Sequence, residues 1–191
     1  MKKINKDLLT WIIIILFFTA VIVLYNKINN NQYIDQGENT PLPNELHPTV
    51  EKKKNTLLKK ATAIGIDVVI TEEVRTVEEQ NDLYAQGRSK KGEIITHSKG
   101  GESYHNYGLA FDYALQNGDG EIIWDLHYDG NQNGESDWFE VADIAKSLGF
   151  TWGGDWKHFT DYPHLQMDFG LSINQLQKGL RPEVKDDEQL K

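Results

Sequence analysis

Two imidazoles and two carboxylates could do chemistry together: His105 and Asp112 in Ser103-Tyr-His-Asn-Tyr-Gly-Leu-Ala-Phe-Asp112, then Asp161 and His164 in Asp161-Tyr-Pro-His164. His105, Asp112 and His164 would give zinc three protein ligands and leave the fourth tetrahedral position open to water. Asp161, three residues before His164, is then placed to take a proton from that water without being a ligand. The chemistry this set could do is metal-assisted hydrolysis. Zinc lowers the pKa of water from about 15.7 to about 7, on the order of 12 kcal/mol, which no aspartate supplies alone.

Spacing by itself does not select these residues. With six His and fifteen Asp in 191 residues, a His and an Asp seven positions apart are expected by chance about 0.5 times. Asp155-Trp-Lys-His158 repeats the second pattern, and nothing in the spacing rejects it.

The longer pattern is more telling. Ser-x-His-x-x-Gly-x-Ala-x-Asp at 103–112, with Asp-x-x-His in an apolar segment, resembles the VanY-like D-alanyl-D-alanine carboxypeptidase family, which shares the hedgehog and DD-peptidase type of zinc fold. Within it the chain is most similar to the cell-wall L-alanyl-D-glutamate endopeptidases. That similarity rests on Val69-Ile-Thr-Glu-Glu-Val-Arg-Thr-Val-Glu-Glu-Gln80, Gly100-Gly-Glu-Ser-Tyr-His-Asn-Tyr-Gly108 and Trp152-Gly-Gly-Asp-Trp156.

The resemblance implies zinc on His105, Asp112 and His164, Asp161 as base, and Arg75 holding the substrate or its oxyanion. His158 becomes a flanking residue. It implies a zinc peptidase acting on peptidoglycan stem peptides at the L-alanyl-D-glutamate bond. The alternatives are a D-alanyl-D-alanine carboxypeptidase and a non-catalytic zinc domain that binds wall peptides. Ser103 is expected to orient the His105 loop. Gln80 could assist Arg75 or lie on an exposed helix face, and Trp152 and Trp156 could line a peptide groove or pack inside.

A second metal pattern lies in Asp129-Gly-Asn131-Gln-Asn133-Gly-Glu-Ser-Asp137-Trp-Phe-Glu140, which matches an EF-hand calcium loop at positions 1, 3, 5, 6, 9 and 12. A helix follows it but a strand precedes it, so it is EF-hand-like only, and an ion-free Asx turn is the competing reading. Two Asn ligands in place of Asp imply weak affinity, about 10⁻⁴ to 10⁻³ M.

The elements that must position these residues are legible. Val50, Leu57, Leu58, Ala61 and Ile64 share one helical face, with Gly65 as stop. Ile66 to Thr71 reads as a strand, and Thr76 with Glu79 as a capping box opening a helix that ends near Gly87. Leu109 to Leu115 and Glu121 to Leu126 read as strands around a turn at 117–120, Trp138 to Leu148 as a helix, and His164 to Met167 as a strand. Ser172 caps a short helix. The class predicted is α+β, a small antiparallel sheet with flanking helices, carrying the peptidase domain on 46–169 and a C-terminal helix and charged tail on 170–191.

Leu8 to Tyr25 is an uncharged, mostly apolar run preceded by Lys2, Lys3 and Lys6. It predicts one transmembrane anchor at 8–25 with residues 1–7 cytoplasmic and the catalytic part outside; cleavage as a secretory signal is the alternative. Residues 26–45, Asn-rich with Pro41 and Pro43, read as a flexible linker. The chain has no cysteine, which excludes disulfides and thiolate ligands. Its net charge of -9 becomes -11 without Lys2, Lys3, Lys6 and Asp7, a poor match for nucleic acid.

Overall fold

The computed structural model describes residues 6–30 and 33–184, with side chains described at 10–24 and from 33 onward. Most of the predicted cytoplasmic segment and the residues after 184 lie outside the described residues. In chain order the elements are α1 (Lys6–Asn30), β1 (Tyr33–Asp35), α2 (Pro48–Ala63), β2 (Asp67–Glu72), α3 (Val77–Ala85), a 3-10 turn at Tyr104–Tyr107, β3 (Ala110–Gln116) and β4 (Ile122–Ile123). Then come α4 (Asp137–Ser147), β5 (Thr151–Trp152), β6 (His164–Gln166), α5 (Ile173–Gln177) and β7 (Leu180–Pro182).

β3 organises the domain. It pairs antiparallel with β2 on one side and β6 on the other, β5 continues from β6, and β4 pairs with the end of β3. Because strand side chains alternate, Leu109, Phe111, Tyr113 and Leu115 enter the core cluster with Val50, Leu57 and Ala61 of α2 and Val141, Ala142 and Ala145 of α4. Asp112 points the other way. This is the α+β arrangement expected, with an antiparallel sheet and helices packed on its core face.

Local signals account for the helix starts. Thr76 accepts from the Glu79 N–H while the Glu79 carboxylate accepts from the Thr76 N–H, a complete capping box, and Ser172 with Gln175 forms another. α2 opens with Pro48 at its first position, and its N-cap is His47, whose Nδ1 accepts from Thr49 N–H.

Two expectations change. Among the described residues no helix is long and apolar enough to cross a membrane, which overturns the transmembrane anchor at 8–25 and the single-pass membrane location built on it. The second change concerns 26–45: Tyr33–Asp35 within it pairs antiparallel with Leu180–Pro182, and the Tyr33 hydroxyl donates to the Phe169 carbonyl at 2.8 Å.

Candidate active site

Strand register brings the site together. Asp112 on β3 stands directly opposite His164 on β6, so their side chains emerge on one face at neighbouring positions. His105 arrives from the 3-10 turn just before β3. Gly108 closes that turn at φ 65°, and a Cβ there would lie 2.4 Å from the Glu45 carbonyl oxygen, so only glycine fits. Asn106, fully buried, locks the turn: its Oδ1 accepts from Gly101 and Ser103 N–H, and its Nδ2 donates to the Arg75 and Thr76 carbonyls. Ser103 Oγ accepts from His105 N–H.

Three ligand-type atoms converge there. His105 Nε2 lies 3.1 Å from His164 Nδ1, and Asp112 Oδ1 lies 3.2 Å from the first and 3.3 Å from the second. His105 Nδ1 faces the Glu73 carbonyl at 2.6 Å, and His164 Nε2 faces the Gln166 carboxamide oxygen at 3.0 Å. Each carbonyl oxygen can only accept, so the proton of each neutral imidazole is assigned to the far nitrogen. Two lone pairs and a carboxylate oxygen then face one another across a triangle, an arrangement that asks for a cation.

The triangle fits zinc. Ligands at about 2.0–2.1 Å around a tetrahedral ion stand about 3.3 Å from each other, close to the three separations found. Asp112 Oδ1 is buried without a hydrogen bond, as a ligand oxygen would be. Burial alone would raise the Asp112 carboxyl, but the two imidazoles beside it outweigh that and hold it well below the usual carboxylate range.

Around this triad opens a cleft of about 540 Å³ whose walls include Arg75, Ser103, Trp156, Phe159 and Asp161. Gly153 permits the approach of Asp161, since a Cβ there would meet the Asp161 carbonyl oxygen at 2.3 Å. Burial pushes the Asp161 carboxyl up, and the nearby Asp112 adds to this against the opposing pull of His164, His105 and Arg75. Trp156 packs its ring 5.1 Å from that of His164.

Arg75 is held from behind. Nε donates to Glu72 Oε1 at 2.7 Å, Nη2 reaches Glu72 Oε2, and Nη1 donates to Gln80 Oε1 at 2.7 Å. Glu72 faces Asp112 in strand register, next to a bulge between Ile70 and Glu72. Two carboxylates would repel there, and Arg75, 3.6 Å from Asp112 Oδ2 through Nη2, sits between them. Gln80 is sealed from solvent and donates to the Ser98 carbonyl at 2.7 Å, so it orients Arg75 rather than touching the cleft.

Other residues singled out by sequence fall elsewhere. Trp152 is buried, donates from Nε1 to the Tyr162 carbonyl at 2.7 Å and packs on Phe139, outside the cleft wall. Asp155 pairs with Lys146 at 3.6 Å and His158 is exposed, so the repeated Asp-x-x-His takes no part. Sequence reasoning missed Glu72, the Glu73 carbonyl, Asn106 and Gln166. Gln166 had a signal: two residues beyond His164 on a strand, it shares that face.

The acidic loop at 129–140 forms a separate locus. Asp129 accepts from the N–H groups of Asn133 and Gly134 at 3.1 and 2.9 Å, and the Asn131 and Asn133 carboxamides donate to Glu140 at 3.0 and 2.8 Å. Asp137 accepts from Gly130 N–H through Oδ2, while its Oδ1 is buried with no partner.

With this geometry, similarity to known proteins becomes informative. The peptidoglycan L-alanyl-D-glutamate endopeptidase CwlK of Bacillus subtilis (strain 168) is 62% identical over 130 residues, spanning 68% of this chain and 78% of that protein. The chain belongs to the D-alanyl-D-alanine carboxypeptidase family. Residues 96–167, which hold the triad and Asp161, match the profile of that family. The L-alanyl-D-glutamate peptidase of Listeria phage A118 is 34% identical over 137 residues, 71% of this chain and 43% of the phage protein. The solved L-Ala D-Glu endopeptidase ChiX of Serratia marcescens is similar at 22% identity and a TM-score of 0.45, covering 65% of this chain and 81% of that one.

Proposed function

We propose that this chain is a zinc peptidase that hydrolyses peptidoglycan stem peptides at the L-alanyl-D-glutamate bond. The triangle of His105 Nε2, Asp112 Oδ1 and His164 Nδ1, in a chain 62% identical to an endopeptidase of that specificity, carries the reading. Those three atoms would hold the metal. Bound zinc supplies Lewis acidity and makes water a nucleophile near neutral pH.

The chain's own groups do the rest. Asp161, raised by burial, accepts the proton of the attacking water on its carboxylate and returns it to the departing amine nitrogen. Arg75, fixed by Glu72 and Gln80, directs its remaining N–H groups toward the carbonyl oxygen as negative charge grows there. Ser103 holds the His105 turn, and Trp156 forms part of the wall that receives the peptide.

The deciding experiment is digestion of purified peptidoglycan by zinc-loaded and by chelator-treated protein, with the products read by mass spectrometry. New peptides with an N-terminal glutamate are expected from the zinc form alone. Loss of terminal alanine would make it a D,D-carboxypeptidase, and tight peptide binding without products would make it a binding domain. Asp161→Ala should retain zinc and lose about 10²- to 10⁴-fold in turnover.

We also infer a calcium site on Asp129, Asn131, Asn133, Asp137 and Glu140. The buried, unpartnered Oδ1 of Asp137 supports it, and the two Asn carboxamides, which present N–H groups to Glu140, would turn over to present oxygen. Titration calorimetry at millimolar calcium should show binding that Asp137→Asn weakens; no heat would remove this site.

A further inference from the structure

A glutamyl residue has two carboxyl groups, and only one carries the peptide onward. The residue on the amine side of an L-alanyl-D-glutamate bond therefore brings a second carboxylate close to the reacting atoms unless it is amidated. A cleft that accepts it needs a donor, yet Glu72, Glu102, Asp112 and Asp161 make this wall acidic. Apart from the zinc triad, its cationic or imidazole side chains among the described residues are Arg75 and His97. Arg75 is held by Glu72, Gln80 and Asp112, and its remaining N–H groups are those assigned above to the scissile carbonyl oxygen.

His97 is differently placed. Its backbone is fixed on both sides: Gln80 donates to the Ser98 carbonyl at 2.7 Å, Arg88 Nη1 to the Thr96 carbonyl at 3.1 Å, and Ser98 N–H to Thr96 Oγ1 at 3.2 Å. The side chain itself is exposed on the cleft wall. Its ring meets Phe159 edge-on, with centroids 5.0 Å apart, and Phe159 lies two residues before Asp161. No hydrogen bond from a described residue reaches the imidazole. A positioned ring on an anchored backbone, with its ring nitrogens unspent and its support on the segment that carries Asp161, is suited to receive a substrate oxygen in this cleft.

We propose that His97 binds the free carboxylate of the substrate's glutamyl residue and makes the enzyme prefer that carboxylate to its amide. This rests on the peptidase reading above. Where Phe159 is the brace, His97 is the specificity contact.

The test uses the zinc-loaded full chain and three synthetic peptides: an L-alanyl-D-glutamyl peptide continued through the side-chain carboxyl with its α-carboxyl free, the same with an α-carboxamide, and the free acid with its C-terminal end amidated. Wild type should favour the free α-carboxylate by about tenfold or more in kcat/KM, as expected for a hydrogen bond to a charged group. His97→Leu should lose that preference chiefly through KM, and His97→Gln, which keeps a neutral donor, should restore part of it. Equal treatment of the first two peptides by wild type, or unchanged discrimination by His97→Leu, overturns the proposal. So does sensitivity only to the C-terminal amide. Calorimetry of the same peptides reads the same ratio without turnover. If nothing is cut, the reaction assigned above is at fault, while the binding ratio still decides the role of His97.

Discussion

At the scale of single residues, the site depends on which nitrogen of each imidazole is free, and that is decided by groups no ligand pattern contains. Gln166 accepts from His164 Nε2 and the Glu73 carbonyl from His105 Nδ1, so both rings present lone pairs to the same point. Replacing Gln166 by Leu removes one orienting partner while leaving the ligand in place; zinc affinity should fall about 10- to 100-fold in chelator competition. The carboxylates give opposite pH signatures in the metal-free protein. Asp112 is held low in the fold, so its contribution is full above its unfolded pKa of about 3.9 and is lost as pH falls through the folded value. Asp161 is held high, so its contribution is present below about 3.9 and lost as pH rises through the folded value. Asp161→Asn should therefore raise the urea midpoint of chelated protein at pH 7 and lose that advantage below pH 4, whereas Asp112→Asn should flatten the acid limb. The triad was legible in the sequence through the long pattern around it and the resemblance that pattern carries, since the spacing alone admits Asp155-Trp-Lys-His158 equally. Arg75, Ser103, Trp156 and Asp161 also reach the cleft wall. Trp152 and Gln80 did not behave as cleft residues, because an aromatic ring or an amide reads the same in sequence whether it faces a groove or seals one.

At the scale of elements, adjacent antiparallel strands convert distant sequence into contact. Asp112 and His164 are opposed by register, and the 3-10 turn carrying His105 is tied to the Arg75 segment by Asn106. Lys54 of α2, buried and paired with Glu51 at 2.7 Å and with Glu73, secures the residue whose carbonyl holds His105. The segment bearing Asp161 is set by the close passage of Gly153, which has no room for a Cβ. Gly153→Ala should displace Asp161 and His164 together: a drop in kcat of about 10²-fold, as for a misplacement near 1 Å, with a stability cost of about 1–3 kcal/mol from overpacking. Comparing rate with thermal midpoint separates the two, and a variant that loses stability but not rate would show that this passage does not position the base. Helices with caps and strands with alternation were readable to within a residue or two, as α3 and β3 show. β4 was read too long, as Glu121 to Leu126 against Ile122–Ile123, and the two-residue β5 was not read, since two residues cannot display a period. Nor was the pairing of β1 with β7, which joins residues far apart through backbone groups that every sequence possesses.

At the scale of the whole molecule, the absence of cysteine leaves only the core and bound ions to stabilise the fold. The core does not need the metal: Phe111, Tyr113, Leu115, Leu165 and Trp138 are sealed on the helix-covered face, whereas the triad faces the cleft. Removing zinc should therefore loosen the protein without unfolding it. At a free zinc concentration one hundred times its dissociation constant, binding to the folded state alone contributes about 2.7 kcal/mol. A domain of this size gains roughly 2–4 °C for each kcal/mol. Chelation should thus lower the thermal midpoint by about 5–11 °C and leave a single cooperative transition. His105→Ala should abolish the zinc-dependent shift while still unfolding cooperatively, because the buried imidazole belongs to the triad on the cleft face and the apolar cluster is untouched. A collapse of the transition on chelation would mean that the ion is a structural staple, and a zinc shift that survives in His105→Ala would mean that the metal is held elsewhere.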